Sequence, residues 1–481
     1  MLIVLIAVVA SESFEYMKRL VAAFCLVPIS AFAQGLIFLV FGMCFFHRHD
    51  LGAQTLTTLY NFSAPQGPPG PLFSGTNADG AGPVEIGGLI VSEGVIYGTA
   101  ENGGFWQQGT VFKLNIDSSG FTNLYNFTAM SEAFLTNSDG AKPVTGLVLL
   151  DDTLYGTTMD GGSGGTGTVF RISTNGSRFA DLAQSLGSPR GPLTLSGYTL
   201  FGTTYYGGLF MLNIDGSGFT NLLGSLGNPQ AGLLLSGNTL YSSTMYGGPY
   251  GNGNVYKIST DGSGFDSVYN FTNSSVPLGT LVLCSNFLYG TTYQGGIGKG
   301  SVFRVGTDGT GFSDLHEFTG TSGDGASPWA GLVLSGNTLY GVTAYGGTSD
   351  KGMIFSVQMD GTGFTNLYSF NSTDGVEPLG GLVVWGKMLY GTTAGGGLYG
   401  GGTIFSLSLP SITLPELTIT ASDGNVIVTW PTNPPNWVLQ STTNLASPVW
   451  TSIAIPPVVV NGLNTVTNAI SATYQLFRLS Q

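Results

Sequence analysis

The chain has 481 residues, of which 76 are glycine and only 9% are charged, whereas an ordinary soluble domain carries roughly 25% charged residues. Apolar residues make up 42% and aromatic residues 12%, which excludes a disordered chain, and the glycines lack the three-residue period of collagen. The formal net charge of −13 argues against contact with a phosphate backbone, so no nucleic-acid partner is predicted.

Residues 1–53 carry the features of a targeting segment. Met17-Lys18-Arg19 precedes the apolar run Leu20–Phe46, which contains the small-x-small sequence Ala31-Phe32-Ala33. This order is typical of a secretory signal peptide. The run also has 27 residues without a charge, enough to cross a bilayer, so a retained N-terminal anchor is the alternative. Both interpretations predict a secreted or cell-envelope protein that meets the membrane only through this segment.

A glycine-rich unit recurs seven times in residues 54–408. The copy that starts at Gly146 reads GLVLLDDTLYGTT, and the copy that starts at Gly331 reads GLVLSGNTLYGVT. Each copy holds four short apolar runs separated by turns rich in Gly, Asn and Asp, which predicts four antiparallel strands. An aromatic residue marks every copy at intervals of 40 to 58 residues, the range of propeller blades, at Tyr97, Tyr155, Phe201, Tyr241, Tyr289, Tyr340 and Tyr390.

The two ends of the repeat region complement each other. The seventh copy stops after its third run, Ile404–Leu407, while Thr57–Phe62 matches the fourth run of the first copy, Thr122–Phe127. We expect the N-terminal strand to complete the last blade, which would cover two open sheet edges at once. The predicted fold class is therefore all-β: a seven-bladed β-propeller with four-stranded antiparallel blades.

The repeat GLVLSGNTLYGTT, followed by GTVFRI and TDGSGFTNLYNF, resembles the Gloeo/Verruco tandem repeat of exported bacterial proteins over residues 55 to 407. That resemblance implies a propeller on an exported protein and brings no catalytic motif with it. Residues 409–416 form a predicted Pro-containing linker. Residues 417–481 are predicted to form a small β-sandwich of six strands, similar to fibronectin type III-like modules, with the three tryptophans Trp430, Trp437 and Trp450 mostly in its core.

The sequence offers little for catalysis or metal binding. Two of the three histidines, His47 and His49, lie in the targeting segment, and only His316 and Cys284 remain in the body. No catalytic triad or zinc site can be built from these residues, so no catalytic residue, metal or cofactor is predicted. The Asp-Gly turns are interpreted as Asx-capped hairpin turns, and not as sialidase-type Asp boxes or calcium loops, at Asp215, Asp261, Asp308 and Asp360.

Two sets of loop residues form the candidate binding surface. A DGxxP pattern in the loops that lead from one blade to the next supplies Asp79, Asp139, Asp324 and Asp374. The loops between second and third strands supply Trp106, Tyr205, Tyr206, Tyr246, Tyr293, Tyr345 and Tyr399. Both kinds of loop share one face of a propeller, so the two sets would combine the ingredients of carbohydrate or peptide recognition. The alternative is that the aspartates cap turns and the rings pack on neighbouring blades.

Two functions from different classes follow. The first is a monomeric binding or scaffold module whose partner is a surface glycan or a protein. The second is a glycan-active hydrolase or lyase that uses carboxylates of the propeller face. Such an enzyme needs two carboxyl groups roughly 5 to 10 Å apart, and aspartates placed once per blade around a ring argue against that pair.

Overall fold

The computed structural model describes residues 54–64, 77–83, 88–131, 133–206, 208–224, 226–273, 275–321, 323–409, 417–422, 425–432, 438–442, 450–460, 462–469 and 476–480. The predicted targeting segment, Trp437 and all but the first residue of the predicted linker lie outside these residues. In the part of the chain that is described, no helix has the length and apolar character needed to span a membrane. Two compact units can be separated, one of Leu51–Leu409 and one that holds the described residues after Pro410.

The regular structure of the first unit, as far as it is described, consists of β-strands. Short runs of β-branched and aromatic residues form them, because such side chains pack well on a pleated surface and the glycine-rich turns between them allow tight reversals. In chain order the strands are β1 Leu56–Asn61, β2 Ala81–Pro83, β3 Ile90–Ser92, β4 Val95–Asn102, β5 Thr110–Asn115, β6 Thr122–Asn126, β7 Val148–Leu150, β8 Thr153–Thr158, β9 Thr168–Ser173, β10 Ala180–Gln184, β11 Thr194–Ser196, β12 Thr199–Thr203, β13 Leu209–Asn213, β14 Thr220–Leu223, β15 Leu234–Ser236, β16 Thr239–Thr244, β17 Asn254–Ser259, β18 Asp266–Asn270, β19 Val282–Cys284, β20 Phe287–Thr292, β21 Ser301–Gly306, β22 Ser313–Glu317, β23 Gly325–Ala326, β24 Val333–Ser335, β25 Thr338–Thr343, β26 Tyr345–Gly346, β27 Met353–Gln358, β28 Thr365–Ser369, β29 Val383–Trp385, β30 Met388–Thr393 and β31 Thr403–Ser408.

These strands pair into antiparallel sheets, each of which corresponds to one repeat. Numbered by their order in the described chain, sheet 1 contains β3 to β6 with β2 added along β4, and sheets 2 to 5 contain β7–β10, β11–β14, β15–β18 and β19–β22. Sheet 6 contains β24, β25, β27 and β28, while β23 and β26 form a separate two-stranded ladder. The prediction of an all-β fold with four-stranded antiparallel sheets is confirmed.

Sheet 7 joins the two ends of the repeat region. It contains β29, β30 and β31 together with β1, which pairs antiparallel with β31 from Leu56↔Leu407 to Asn61↔Thr403. The N-terminal strand is thus the outer strand of this sheet, at the place that the sequence comparison of Thr57–Phe62 indicates.

Buried aromatic rings explain why most repeats have a glycine at one position of the second strand. The third strand of sheet 2 buries Phe170 against Gly156 of the second strand, and a Cβ atom at Gly156 would lie only 2.5 Å from the Phe170 Cζ atom. A side chain there would overpack the core, so glycine is required by close approach. Sheet 4 departs from this rule with Ser242 and Tyr256, and the Ser242 hydroxyl donates to the Gly232 carbonyl oxygen at 3.0 Å.

Neighbouring sheets are held together by stacked rings at their outer strands. Tyr60 of sheet 7 stacks on Phe121 of sheet 1 with ring centroids 3.9 Å apart, and Tyr125 of sheet 1 stacks on Phe179 of sheet 2 at 3.8 Å. The aromatic repeat pattern therefore stabilises contacts between sheets as well as the interior of each sheet.

The described strands of the second unit are β32 Thr418–Ser422, β33 Asn425–Pro431, β34 Val438–Thr442, β35 Thr451–Ser452, β36 Val458–Val460, β37 Leu463–Ala469 and β38 Leu476–Ser480. They form two antiparallel sheets, in the orders β32-β33-β37-β36 and β35-β34-β38. Val428 and Trp430 of the first sheet share a buried cluster with Phe477 of the second, so the core role of Trp430 is confirmed. Trp450 is half-buried, with the Arg478 guanidinium 4.5 Å above its ring.

Candidate functional site

The loops that carry the predicted site residues lie side by side. The loop that enters a sheet pairs through its backbone with the loop between the second and third strands of the same sheet. Such pairs are Ala141↔Asp160 at sheet 2, Pro189↔Thr204 at sheet 3 and Val376↔Gly395 at sheet 7, and the β23–β26 ladder makes the same connection at sheet 6. We call this surface the loop face.

The DGxxP aspartates are engaged in hydrogen bonds within the protein. Asp139 accepts from the Tyr125 hydroxyl at 2.9 Å, from the Thr128 backbone N–H at 2.9 Å and from the Thr128 hydroxyl. Asp79 makes the corresponding bonds with the Tyr60 hydroxyl at 3.0 Å and with the backbone N–H and hydroxyl of Ser63. Each carboxylate thereby fastens its loop to the outer strand of the preceding sheet, an arrangement that we call the aspartate clip.

Two further clips use the same geometry with different donors. Asp374 accepts from the Tyr368 hydroxyl at 2.5 Å, from the Asn371 backbone N–H at 2.8 Å and from the Asn371 side-chain amide at 2.6 Å. Asp324 is paired with the His316 Nε2 atom at 3.2 Å and accepts from the Thr319 backbone N–H at 2.8 Å. His316 thus replaces the clip tyrosine of the other repeats.

The clips change the proton affinities of their members. Burial, and then the adjacent Asp79 carboxylate, raise the pKa of Tyr60 above the usual tyrosine value, so its hydroxyl stays a hydrogen-bond donor. Burial also favours the neutral form of Asp324, but the hydrogen bonds from Thr319, Gly325 and His316 outweigh it and lower the pKa of that carboxyl. Asp324 therefore supports folding as a carboxylate, and this support is lost as the pH falls through its lowered pKa.

These contacts favour the structural interpretation of the four aspartates. Asp79 and Asp139 are buried, and every clip carboxylate is already paired with two or more donors of the protein. The DGxxP pattern showed where the carboxylates lie in the repeat. It did not reveal their partner, a tyrosine or histidine of the preceding outer strand.

The predicted aromatic residues are mostly accessible on the loop face. The relative exposure is 48% for Trp106, 37% for Tyr205, 73% for Tyr206, 54% for Tyr246, 41% for Tyr345 and 56% for Tyr399. Tyr293 is half-buried, and its ring contacts Trp329 edge to face with centroids 5.2 Å apart. The structure thus offers six accessible rings, while the seventh packs on a neighbouring loop.

Sequence reasoning missed two residues that touch this set. Trp329 contacts Tyr293, and the Arg190 guanidinium lies 4.9 Å from the centre of the Tyr205 ring. Both directly follow the loop proline, a position where other repeats carry the buried apolar residues Val144 and Leu278. An alignment of the repeats at that proline would have shown the exchange of apolar for polar or aromatic side chains.

The Asp-Gly turns lie away from this face and have the predicted conformation. Each aspartate accepts a hydrogen bond from the backbone N–H two residues later, at 2.9 Å in all four cases: Asp215, Asp261, Asp308 and Asp360. The interpretation as Asx-capped turns is confirmed. Across the described residues, no group of three or more His, Cys, Asp or Glu side chains is placed to hold a metal ion.

The fold and the loop face define a β-propeller-like repeat protein. The family model described as the Gloeobacter/Verrucomicrobia repeat matches residues 130–275 and 298–428, together more than half of the chain. The chain belongs to the Gloeobacter/Verrucomicrobia repeat family. No curated protein matches the sequence.

Solved structures resemble the chain only remotely. A chain of a nidogen/laminin complex is 17% identical with a TM-score of 0.36, covering 58% of this chain and 91% of that chain. BamB from Moraxella catarrhalis is 14% identical with a TM-score of 0.40, covering 68% of this chain and 84% of that chain. A puromycin-hydrolyzing peptidase of Mycobacterium tuberculosis is 13% identical with a TM-score of 0.46, covering 75% and 62%. Likenesses of this strength carry no argument about function.

Proposed function

We propose that this protein is an exported binding or scaffold module of the cell surface, and that the exposed aromatic rings of the loop face hold a carbohydrate. The observation that carries the proposal is the set of accessible rings on one face, with Tyr206, Tyr399 and Tyr246 more than half exposed. Contiguous exposed apolar surface marks interaction sites, and flat rings stack on the apolar faces of sugars. A protein ligand is the other outcome that the test below can give.

The proposed architecture is a closed, seven-bladed propeller followed by a β-sandwich module at residues 417–481. The seven repeat sheets among the described residues and the β1–β31 pairing support the closed ring. The two sheets that share Trp430 and Phe477 support the sandwich, for which we propose a role as spacer or attachment. Export through residues 1–53 and a monomeric state remain part of the proposal, as predicted from the sequence.

A glycan-active hydrolase or lyase is the alternative, and the clips argue against its simplest form. A general acid or base must be free to exchange a proton with the substrate. The carboxylates of Asp79, Asp139, Asp324 and Asp374 are instead hydrogen-bonded within the protein. An enzyme would need a different pair of carboxylates.

The test is a glycan array and a polysaccharide panel probed with the purified protein and two matched variants. Tyr206→Ala removes a loop-face ring that is 73% exposed, and Tyr198→Ala removes a ring that is 74% exposed at the opposite end of the same strand, β12. We expect Tyr206→Ala to weaken binding about tenfold, the usual loss for an aromatic anchor, and Tyr198→Ala to bind as the parent protein does.

Three results would contradict the proposal. Equal losses in both variants would place binding elsewhere. A panel without any glycan ligand, together with binding to a protein, would favour the protein-scaffold outcome. Release of glycan products that stops when a single carboxylate is replaced would establish the enzyme instead.

A further inference from the structure

One position of the repeat carries an unusual set of side chains. It directly follows the proline of the loop that enters a sheet, just before the inner strand. Six of the repeats have a described residue at this position, and in three of them the residue is apolar. In the other three the residue has a buried side-chain atom without a hydrogen-bond partner: Arg190 Nε, Gln230 Oε1 and Trp329 Nε1. Unpaired buried polar atoms are costly, and three of them fall at equivalent positions of the repeat.

The segments next to this position contact one another from sheet to sheet. A Cβ atom on Gly191 would lie 2.6 Å from the Ala231 carbonyl oxygen, and one on Gly279 would lie 2.6 Å from the Gly331 backbone nitrogen. The inner strands also contact their neighbours, as β11 does with β15 and β24 with β29. The residues after the loop prolines therefore lie beside these contacts between adjacent sheets, where the inner strands begin on the loop face.

Arg190 is a cation without an anionic partner. Its guanidinium stacks on the Tyr205 ring at 4.9 Å, and among the described residues no carboxylate lies within salt-bridge distance of it. Lys142, in contrast, is paired with Asp160 at 2.9 Å in a neighbouring loop. A stacked guanidinium keeps its planar fork of donors in a fixed orientation, which suits a carboxylate.

Gln230 and Trp329 are the two neutral residues at this position of the repeat that have an unpaired polar atom. Gln230 is only 4% exposed, and its side-chain nitrogen contacts the Met245 sulfur at 3.3 Å. Its amide oxygen is buried and has no hydrogen-bond partner. Trp329 packs on Tyr293 while its indole N–H lacks an acceptor. An amide acceptor and an indole donor beside aromatic surface match the hydroxyl groups and the apolar face of a sugar ring.

We propose that Arg190, Gln230 and Trp329 bind a short acidic oligosaccharide, with a uronic acid carboxylate on Arg190 and sugar hydroxyls on the other two side chains. The proposal rests on the proposed function and narrows its ligand to anionic glycans. The carboxylate supplies the charge partner that Arg190 lacks among the described residues. A neutral sugar of the same shape would leave that cation unpaired.

The experiment compares β-1,4-linked triglucuronate with its trimethyl ester by calorimetric titration of the full-length protein. The ester keeps the sugar rings but removes the negative charges, so we expect it to bind at least tenfold more weakly. Arg190→Gln should weaken triglucuronate binding about tenfold to 100-fold, the range for a lost charge-assisted hydrogen bond. Arg190→Lys, which keeps the charge without the fork, should bind with intermediate affinity.

Arg304→Gln is the matched control. Arg304 also stacks on an aromatic ring, Phe287 at 5.2 Å, and also has a buried Nε atom without a partner, but it lies within β21 and away from the loops. This variant should bind triglucuronate as the parent protein does. Melting curves of all variants establish that a loss of binding is not a loss of folding.

Several results would overturn the proposal. Equal affinity for triglucuronate and its ester would show that the negative charge does not contribute to binding. Equal losses of affinity in Arg190→Gln and Arg304→Gln would show that binding does not depend on the Arg190 position. Binding of the C-terminal carboxylate of a short peptide, without binding of triglucuronate, would assign the site to proteins. If Tyr206→Ala weakens glycan binding while Arg190→Gln does not, the proposed function stands and this inference fails.

Discussion

The loop face is built in two ways, and the difference follows the length of its loops. The loops that enter sheets 1, 2, 6 and 7 have aspartate clips, whereas those that enter sheets 3, 4 and 5 have none. From the last residue of the outer strand to the loop proline, the clipped loops span nine to 22 residues and the unclipped loops five to seven. The aspartate clips are thus found in the longer loops between sheets.

The donors of the clip change together with its carboxylate. The position of the clip tyrosine is occupied by Ala183 in sheet 2 and Leu223 in sheet 3, the two sheets that precede the shortest loops. Sheet 4 retains Tyr269, but the seven-residue connection that follows has no DGxxP aspartate. A longer loop has more conformations to lose on folding, and a buried carboxylate with several donors fixes it in place. These aspartates therefore support loops, and the candidates for ligand binding are the other polar residues of the loop face.

The largest expected effects lie in the core and should not depend on the clips. Tyr340 of clipped sheet 6 and Phe201 of unclipped sheet 3 occupy the same repeat position and are 7% and 3% exposed. Tyr340→Ala and Phe201→Ala should each lower the free energy of unfolding by about 4 kcal/mol, because each leaves a cavity between packed strands. Urea denaturation of both variants checks this.

A neutral effect of either substitution would contradict the assignment of that residue to the core. A much larger loss in one sheet than in the other would show that the two regions differ in more than their loops.

Asp139→Ala should have the next largest effect. It removes the acceptor of the Tyr125 hydroxyl and of two Thr128 donors, and groups that lose a partner at a partly buried site cost about 1–3 kcal/mol. We expect the free energy of unfolding to fall by about 2 kcal/mol, with faster hydrogen exchange of the loop that the clip fastens. Asp117→Ala, in an exposed hairpin turn, is the control and should leave the unfolding midpoint nearly unchanged. Equal behaviour of the two variants would mean that the clip does not stabilise the fold.

How far the sequence predicts the structure differs between these regions. Turn glycines, β-branched runs and the match of Thr57–Phe62 to Thr122–Phe127 are local signals, and they predicted the strands of the repeats and the β1–β31 pairing. In the second unit the local sequence does not predict the strand Leu463–Ala469, because its two asparagines are typical of turns and only pairing with Asn425–Pro431 makes it a strand. Contacts between distant residues set this outcome, and no local pattern contains them.

The candidate site shows the same limit. The rings of the loop face were found because loop position predicts exposure, as for Tyr206. The clip was not found, because Tyr125 and Asp139 are 14 residues apart in one repeat, whereas Tyr368 and Asp374 are six apart in another. Arg190 and Gln230 look like ordinary loop residues until their neighbours across sheets are known.

The smallest predicted effect concerns Asp181, in the outer strand that precedes an unclipped loop. Burial raises the pKa of Asp181 to about 6; the hydrogen bond from Gln184 opposes this rise and the nearby Asp139 charge adds to it. Above pH 6 the folded protein holds an unfavourable carboxylate, so stability should rise as the pH falls from 6 towards 4, where the unfolded chain also takes up the proton.

Asp181→Asn should therefore stabilise the protein by about 1 kcal/mol at pH 8 and by much less at pH 4. The gain at pH 8 is smaller than the cost of a fully buried charge, because solvent partly screens Asp181. Urea denaturation at the two pH values measures the difference. Asp117→Asn provides the control, because the side-chain and backbone hydrogen bonds of Ser119 lower the pKa of Asp117 and place its titration below this range. A gain in stability that is the same at both pH values would mean that Asp181 acts through packing, and the charge would then play no part in the difference between clipped and unclipped loops.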